Sequence, residues 1–164
     1  CGVENFSIIA FSFGAAVGKN LASRSERVKK LVMIGHAYGS STYGRFLEMI
    51  PDLRVEWGKV IEGTAAEDKL SDITKFFKKN YDLPAWKAII SAIPNWGSVG
   101  VEDIRCPVMI LYGEEDEGVH TQLERFERET VYYGVPIYRM EELGHYSQFT
   151  DSTRNLPLIR EFLS

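Results

Sequence analysis

The chain has 164 residues, 45% hydrophobic and 26% charged, which is the composition of one globular domain rather than of a disordered or fibrous protein. The 19 Lys and Arg residues are scattered and stand against 23 Asp and Glu, for a net charge of -4, so nucleic-acid binding is disfavoured. No apolar run approaches the roughly 18 residues that a membrane span needs, so we expect no membrane association.

The two cysteines, Cys1 and Cys106, are too few for a disulfide framework or a zinc site. The sequence contains no recognisable secretion signal, and a cytoplasmic location is therefore the default expectation. The first residue is not Met, and a strand pattern follows almost at once. We therefore expect the chain to begin partway through a domain.

A strand–helix–strand unit is predicted between Phe6 and Gly35. Phe6 to Phe11 is an apolar run typical of a strand covered on both faces, and Leu31 to Gly35 is a second run of this kind. Small residues between them indicate a helix on which Val17 and Leu21 share one face. Such a unit, about thirty residues long, predicts a parallel sheet with a right-handed crossover.

The segment 40–100 has a helical pattern throughout. Pro51 is expected to interrupt a first short helix, and Pro84 to stand at the start of a later one. No strand is predicted in this segment. The expected organisation is an α/β core formed by residues 1–39 and 101–164, with residues 40–100 as a helical cap.

The last part of the chain returns to alternating strands and helices. Val108 to Tyr112 is a third buried strand, and the spacing of Val119 to Phe126 predicts the next helix. Val135 to Met140 is a fourth strand, placed at a sheet edge by its Pro136, and Leu156 to Leu163 is a final helix. The predicted fold class is α/β, with a parallel sheet of about four strands and flanking helices.

Three polar features follow predicted strands, where the functional residues of parallel α/β sheets collect. The first is Ala10-Phe11-Ser12-Phe13-Gly14. A nucleophile elbow needs small residues two positions before and after its serine, because the turn is sharp and crowded. Ser12 would then stand at the amino end of a helix, where developing negative charge is favoured.

The other two features supply a candidate acid and a candidate base. Glu114-Glu115-Asp116-Glu117 follows the third strand, and a carboxylate there could orient a histidine, although a solvated acidic turn is the simpler interpretation of any single residue. His145 follows the fourth strand and could be a general base. His36 and His120, which follow the second and third strands, stay as alternative bases.

The order nucleophile, acid, base along successive strand ends resembles that of the α/β-hydrolase superfamily. The segments "NFSIIAFSFGAAVGKNLA" and "RVKKLVMIG" are similar to its nucleophile strand with the elbow and to the strand that follows. "IRCPVMILYGEEDEGV" is similar to the acid strand and "ELGHYSQFTDS" to the histidine loop. The resemblance covers essentially the whole chain, as the carboxyl-terminal portion of such a protein with its helical cap. It implies Ser12 as nucleophile, His145 as base and Asp116 as acid, three residues past the Gly.

The resemblance also implies parts that this sequence does not contain. The family's amino-terminal half supplies four more strands and the loop that donates a second oxyanion-hole N–H, which leaves the N–H of Phe13 as the donor here. Losing one such donor costs about 10²–10³-fold in rate. The strand over residues 6–11 lies mid-sheet in the family, so we expect its bare edge to pair with a second copy, as a homodimer, or with a complementing chain.

These features predict a serine hydrolase that acts on a small ester, thioester or related acyl substrate, with acyl transfer to another acceptor left open. The serine argues against dehalogenase and epoxide-hydrolase relatives, which by resemblance use aspartate. Phe11, Trp86, Trp96 and Tyr146 are expected to line the substrate pocket, although packing is the simpler interpretation of the cap aromatics. No metal or organic cofactor is expected, because three dispersed histidines offer no ligand spacing.

Two other interpretations remain open at the level of sequence. The chain could be a catalytically weak or inactive hydrolase-like binding module, which the missing oxyanion loop favours and the retained Ser-Asp-His order opposes. It could also be a fragment of a longer enzyme.

Overall fold

A computed structural model describes residues 2–40 and 44–164, of which residues 40 and 44–47 are described by their backbone alone. Two short 3-10 turns, Glu67–Lys69 and Ile93–Asn95, accompany the regular elements. In chain order these elements are β1 (Phe6–Phe11), α1 (Phe13–Ala22), β2 (Val28–Ile34), β3 (Gly39–Ser40), α2 (Gly44–Ile61), α3 (Asp72–Asn80), α4 (Leu83–Ala92), β4 (Ser98–Val99), β5 (Val108–Gly113), α5 (Glu117–Arg125), α6 (Glu127–Tyr132), β6 (Ile137–Met140), α7 (Ser147–Thr150) and α8 (Ser152–Leu163).

The main sheet is parallel and has the strand order β1-β2-β5-β6. This confirms the predicted α/β class with four parallel strands. β6 is an edge strand, as Pro136 predicts, but it begins at Ile137 rather than at Val135. Pro136 has no N–H to give to the ladder, and only its carbonyl takes part, accepting from the N–H of Ile110 at 3.0 Å.

Both faces of the two central strands are buried, as their continuous apolar runs predict. Side chains alternate between the faces. Leu31, Met33 and Ile110 pack with the buried residues of α1 and α5 in one cluster. Val32 and Leu111, on the opposite face, pack with residues of α8 in a second cluster. The sheet is thus the middle layer of this part of the molecule, and its strand ends are held rigidly.

The expectation that β1 is covered on both faces is wrong for the described residues. Ile9 is 52% exposed, and β1 pairs with β2 alone in the described sheet. Val17 and Leu21 do share a face of α1, but that face is exposed as well. Apart from Lys19, the buried residues of α1 are small and allow the helix backbone to lie close to the sheet: Ala15, Ala16, Gly18 and Ala22.

Gly18 marks the closest approach of α1 to the sheet. A Cβ at this position would lie 3.1 Å from Cγ2 of Ile8 and 3.5 Å from Cβ of Ala10. Gly14 is different, because a Cβ there meets no described atom within 4 Å, so crowding does not explain this elbow glycine. We expect Gly18→Val to lower the free energy of unfolding by about 1–3 kcal/mol through overpacking.

Gly14→Ala is the matched control for this substitution. It adds one methyl group in open space within the same helix and is expected to be neutral or to stabilise by up to about 1 kcal/mol. Urea denaturation of the two variants measures both changes. Equal stability of the Gly18→Val protein and the native protein would show that the close approach at residue 18 does not matter.

Lys19 is fully buried on the same helix, which no sequence pattern predicts. Its ammonium group donates hydrogen bonds to the carbonyl oxygens of Ala37 at 3.0 Å and Gly39 at 2.9 Å. Burial lowers the pKa of Lys19 to about 7. The side chain thereby ties α1 to the segment that leaves β2.

The chain divides into two compact units, one formed by Cys1–Ser41 with Ser98–Ser164 and the other by Thr42–Gly97. The second unit is helical, and the expected interruption at Pro51 is wrong: α2 is continuous through this residue. Proline removes one backbone hydrogen bond from a helix. Ile50, Leu53 and Trp57 lie on both sides of it and are buried in the core of this unit, so packing holds the helix together.

The prediction that residues 40–100 contain no strand is also wrong. β3 and β4 form a two-stranded antiparallel ribbon, with Gly39 opposite Val99 and Ser40 opposite Ser98. Two residues are too few to produce an alternating pattern, which explains why the sequence gives no sign of this ribbon. Both strands belong to the first unit.

Candidate active site

Ser12 occupies the turn between β1 and α1 in a strained backbone conformation. Its φ of 50° and ψ of -119° are rarely adopted by a residue other than glycine. The turn is held by its N–H, which donates to the carbonyl oxygen of Ile34 at 2.8 Å, and by its own carbonyl, which accepts from Ala15 and Ala16. The side chain therefore lies at the carboxyl end of β1 and the amino end of α1, as the elbow pattern predicts.

The three residues of the sequence prediction form one hydrogen-bonded chain. Nε2 of His145 lies 2.8 Å from Oγ of Ser12, and Nδ1 of the same ring lies 2.7 Å from Oδ2 of Asp116. Asp116 follows β5 and is nearly buried, whereas the His145 side chain is 36% exposed. Residues that are 29 and 133 positions apart in the sequence are thus brought to one end of the sheet.

The charge of Asp116 fixes the tautomer of His145. Burial alone would raise the pKa of Asp116, but hydrogen bonds from His145 and Gln148 outweigh it and hold the pKa below its ordinary value. An ionised carboxylate only accepts hydrogen bonds, so Nδ1 of His145 carries the proton and donates it. In the neutral form of the ring, Nε2 is then the nitrogen without a proton, and it accepts from the hydroxyl of Ser12. This is the arrangement that a general base requires.

Glu114, another acidic candidate, has different partners. Glu114 is paired with Arg139 and accepts from the N–H of Glu142 at 3.2 Å. Glu117 is the first residue of α5, and Asp116 is the member of the acidic cluster that contacts His145. The solvated-turn interpretation therefore holds for Glu114 and not for Asp116.

The alternative bases lie in different surroundings. His120 is a half-exposed residue of α5 whose Nε2 lies 3.3 Å from Glu124. His36 is 4% exposed, and its pKa is lowered to about 3 by burial and, to a smaller extent, by the charges of Lys19 and His145. His36 is consequently neutral at pH 7.

Burial of neutral His36 makes the protein sensitive to acid. The unfolded chain binds a proton at this residue below about pH 6.5, whereas the folded chain does so only near pH 3, so stability falls as the pH decreases through this window. We expect His36→Gln to reduce the loss of stability between pH 7 and pH 5 by about 2 kcal/mol. Urea titrations at several pH values measure the effect. Exposed His120 is the control, and an equal change in slope for His120→Gln would contradict the prediction.

Aromatic side chains surround His145. The Phe11 ring lies 5.0 Å from the His145 ring, and Tyr146 packs edge-on against that imidazole at 5.4 Å. Phe149, which the sequence prediction does not include, stacks on Phe11 at 4.6 Å and is 53% exposed. Its position two residues into the short helix α7 gives no pattern from which it could be found.

Trp86 and Trp96 belong to the helical unit. Trp86 packs within that unit against Phe77 at 5.1 Å and Tyr81 at 5.6 Å. These contacts lie within the helical unit and do not decide between packing of the cap onto the core and a substrate pocket. The assignment of Trp86 and Trp96 to a substrate pocket stays a prediction.

Gln148 is a further site residue that sequence reasoning missed. It is fully buried, and its Nε2 donates to Oδ2 of Asp116 and to the carbonyl oxygen of His145, both at 2.8 Å. A neutral amide three residues after a histidine belongs to no general catalytic pattern, so only the structure identifies it.

Within the described ranges, no group of three or more His, Cys, Asp or Glu residues could hold a metal ion. In the same part of the chain, no helix is both long enough and apolar enough to cross a membrane.

No protein-family model and no curated protein sequence matches the chain, but solved structures do. A carboxylesterase structure from the thaumarchaeon Nitrososphaera gargenis is 16% identical, with 98% of this chain aligned to 65% of that one at a TM-score of 0.65. MenH from S. aureus is 14% identical over 97% of this chain and 68% of its own, also at 0.65. An α/β-hydrolase enzyme from a deep-sea metagenome library is 15% identical over 99% and 66%, at 0.56.

The chain spans about two thirds of the length of these solved chains. The likeness extends over nearly all of its own residues. The chain therefore has the fold of the α/β-hydrolase superfamily, as its sequence motifs predict.

Proposed function

We propose that the protein is a serine hydrolase that cleaves a small ester, thioester or related acyl substrate through an acyl-enzyme. The observation that carries this proposal is the continuous hydrogen-bonded chain from Oγ of Ser12 through the imidazole of His145 to the carboxylate of Asp116. Similarity to solved esterases and hydrolases supports the same reaction class. The acyl group and the leaving group are not specified by this similarity.

In the first half of the reaction, Oγ of Ser12 attacks the carbonyl carbon of the substrate while its proton passes to Nε2 of His145. The imidazolium that forms is stabilised by the Asp116 carboxylate, 2.7 Å from Nδ1. The tetrahedral intermediate collapses when Nε2 returns the proton to the leaving oxygen or sulfur. The product of this half-reaction is an ester of Ser12.

In the second half, water attacks the Ser12 ester and gives its proton to Nε2 of His145. Collapse of this second intermediate releases the carboxylic acid and returns the proton to Oγ of Ser12. We assign the N–H of Phe13, at the amino end of α1, as an oxyanion donor in both halves. Phe11 and Tyr146, whose rings lie against the imidazole of His145, are the proposed pocket residues nearest the base.

A serine-directed fluorophosphonate probe tests this function directly. The native protein is expected to be labelled, and Ser12→Ala and His145→Ala are expected to abolish labelling because one removes the nucleophile and the other its base. His120→Ala is the matched control and should keep the native rate. An unlabelled but folded native protein would overturn the proposal and leave the hydrolase-like binding module as the function.

We also propose that the edge of β1 pairs with the same strand of a second copy. This edge has no partner among the described strands, and Ile9, Val17 and Leu21, on β1 and on the helix that follows it, are exposed. Unpaired backbone groups beside exposed apolar side chains favour strand addition. Sedimentation equilibrium should give a dimer that Ile9→Lys converts to a monomer. A concentration-independent native monomer would contradict the homodimer, and a complementing chain would be the remaining candidate.

A further inference from the structure

The amide of Gln148 lies at the centre of the loops that carry the acid and the base. Its Oε1 accepts a hydrogen bond from the N–H of Gly113, the last residue of β5. Its Nε2 donates one hydrogen bond to Oδ2 of Asp116 and a second to the carbonyl oxygen of His145, each at 2.8 Å. One buried side chain thus contacts a strand end, the carboxylate and the backbone of the histidine.

The chemistry of these three partners requires a primary amide. One partner is a donor, the Gly113 N–H, and two are acceptors, the Asp116 carboxylate and the His145 carbonyl. An amide has one oxygen and two N–H groups, which match this set completely. The opposite orientation of the amide would place its oxygen against two other oxygens. A carboxylate could not donate, and an ammonium group could not accept.

The surroundings hold the amide in this position. A Cβ on Gly35, which follows β2 directly and has a φ of 61°, would lie 2.5 Å from Nε2 of Gln148. This is closer than van der Waals contact allows, so the absence of a side chain there leaves room for the amide. The side-chain amide of Asn155 in α8 donates to the carbonyl oxygen of Gln148. Gln148 itself is fully buried.

We propose that Gln148 is a positioning residue for the Asp116–His145 pair. Its Nε2 shares Oδ2 of Asp116 with Nδ1 of His145, so it fixes the carboxylate oxygen to which the imidazole donates. Its second N–H holds the His145 backbone at the distance at which Nε2 of that ring reaches Ser12. This inference rests on the proposed function for its catalytic consequence, but the geometry that it describes exists in the resting protein.

Two variants separate this role from a purely structural one. Gln148→Glu keeps an oxygen for the Gly113 N–H but has no N–H for Asp116, and its charge repels that carboxylate. Gln148→Met has a similar volume and none of the three hydrogen bonds. Gln122→Met is the matched control, since Gln122 is a buried glutamine of α5 outside this network. Thermal unfolding identifies the variants that are folded, and only these are compared.

The first readout is the tautomer of His145, measured by the nitrogen-15 shifts of its ring in the protein without substrate. We expect the Nδ1–H tautomer in the native protein and in Gln122→Met, and a mixture of tautomers in Gln148→Glu and Gln148→Met. The second readout is the rate of fluorophosphonate labelling, which should fall by about 10- to 100-fold in both Gln148 variants.

These two readouts keep the inference distinct from the proposed function. If the tautomer of His145 changes in the Gln148 variants but the native protein is never labelled, the positioning role is retained and the hydrolase is rejected. Native labelling together with an unchanged tautomer and rate in folded Gln148→Glu would overturn the positioning role and retain the hydrolase. If Gln148→Met does not fold, Gln148→Glu decides, because it preserves the acceptor for Gly113.

Discussion

Asp116→Asn is expected to lower the rate of fluorophosphonate labelling at Ser12 by about 10³–10⁴-fold while the protein stays folded. The amide oxygen of asparagine can still accept from Nδ1 of His145 and from Gln148, so the hydrogen-bonded geometry is nearly preserved. The negative charge is lost, however, and with it the stabilisation of the imidazolium that forms when Ser12 attacks. The effect should therefore appear in the rate of acylation rather than in stability.

The matched control for this substitution is Glu114→Gln. Glu114 is two residues away in the same acidic cluster, but its partners are Arg139 and the N–H of Glu142 rather than the histidine. An exposed ion pair contributes little to stability, and the labelling rate should stay near the native one. Equal losses in the two variants would contradict the assignment of Asp116 as the acid.

Gly113→Ala is expected to damage both the fold and the site. A Cβ at Gly113 would lie deep inside the van der Waals radius of the Leu143 carbonyl oxygen and close to that of Gly144. Both contacts are with backbone, which cannot move aside as a side-chain end can, so the loop that carries His145 must shift. We expect a loss of about 3 kcal/mol in the free energy of unfolding and a fall of more than about 100-fold in labelling.

Gly14→Ala serves as the control for Gly113→Ala as well, because it adds the same methyl group beside the nucleophile where no described atom lies within 4 Å. Urea denaturation and labelling rates should be measured on the same preparations. A Gly113→Ala protein with native stability and native labelling would mean that the approach of the histidine loop to β5 is not essential.

The parts of the fold and site that depend on local patterns could be predicted from the sequence. The buried strands β2 and β5 are continuous apolar runs. Ser12, Asp116 and His145 each follow a strand, within a short motif that can be recognised in the sequence. Parallel strands place their carboxyl ends together, so the order of these residues along the chain indicates their meeting in space.

The features that could not be predicted depend on long-range packing. Pro51 locally disfavours a helix, yet α2 continues through it because Ile50, Leu53 and Trp57 are buried on either side of the proline. The exposure of Ile9 follows from the pairing of β1 with a single strand, which the apolar run cannot reveal.

Buried polar residues are the second class that the sequence does not identify. Lys19 and Gln148 resemble ordinary surface residues in the sequence, yet both are fully buried with two or more hydrogen bonds. Apart from the His145 carbonyl, which is three residues from Gln148, their hydrogen-bond partners lie 18 to 35 residues away, and no local spacing records such contacts. For the candidate site, this means that the meeting of Ser12, Asp116 and His145 could be predicted from the sequence, whereas the buried side chain that contacts Asp116 and His145 could not.

The acyl-enzyme is the central chemical species of the proposed mechanism, and it can be observed directly. The protein is mixed with p-nitrophenyl acetate, quenched in acid after a short time and digested, and the peptide that contains Ser12 is weighed by mass spectrometry. We predict one acetyl group on Ser12 in the native protein and none in Ser12→Ala. Two results together would contradict the mechanism: a Ser12 peptide that stays unmodified in the native protein, and release of nitrophenol by Ser12→Ala at the same rate as by the native protein.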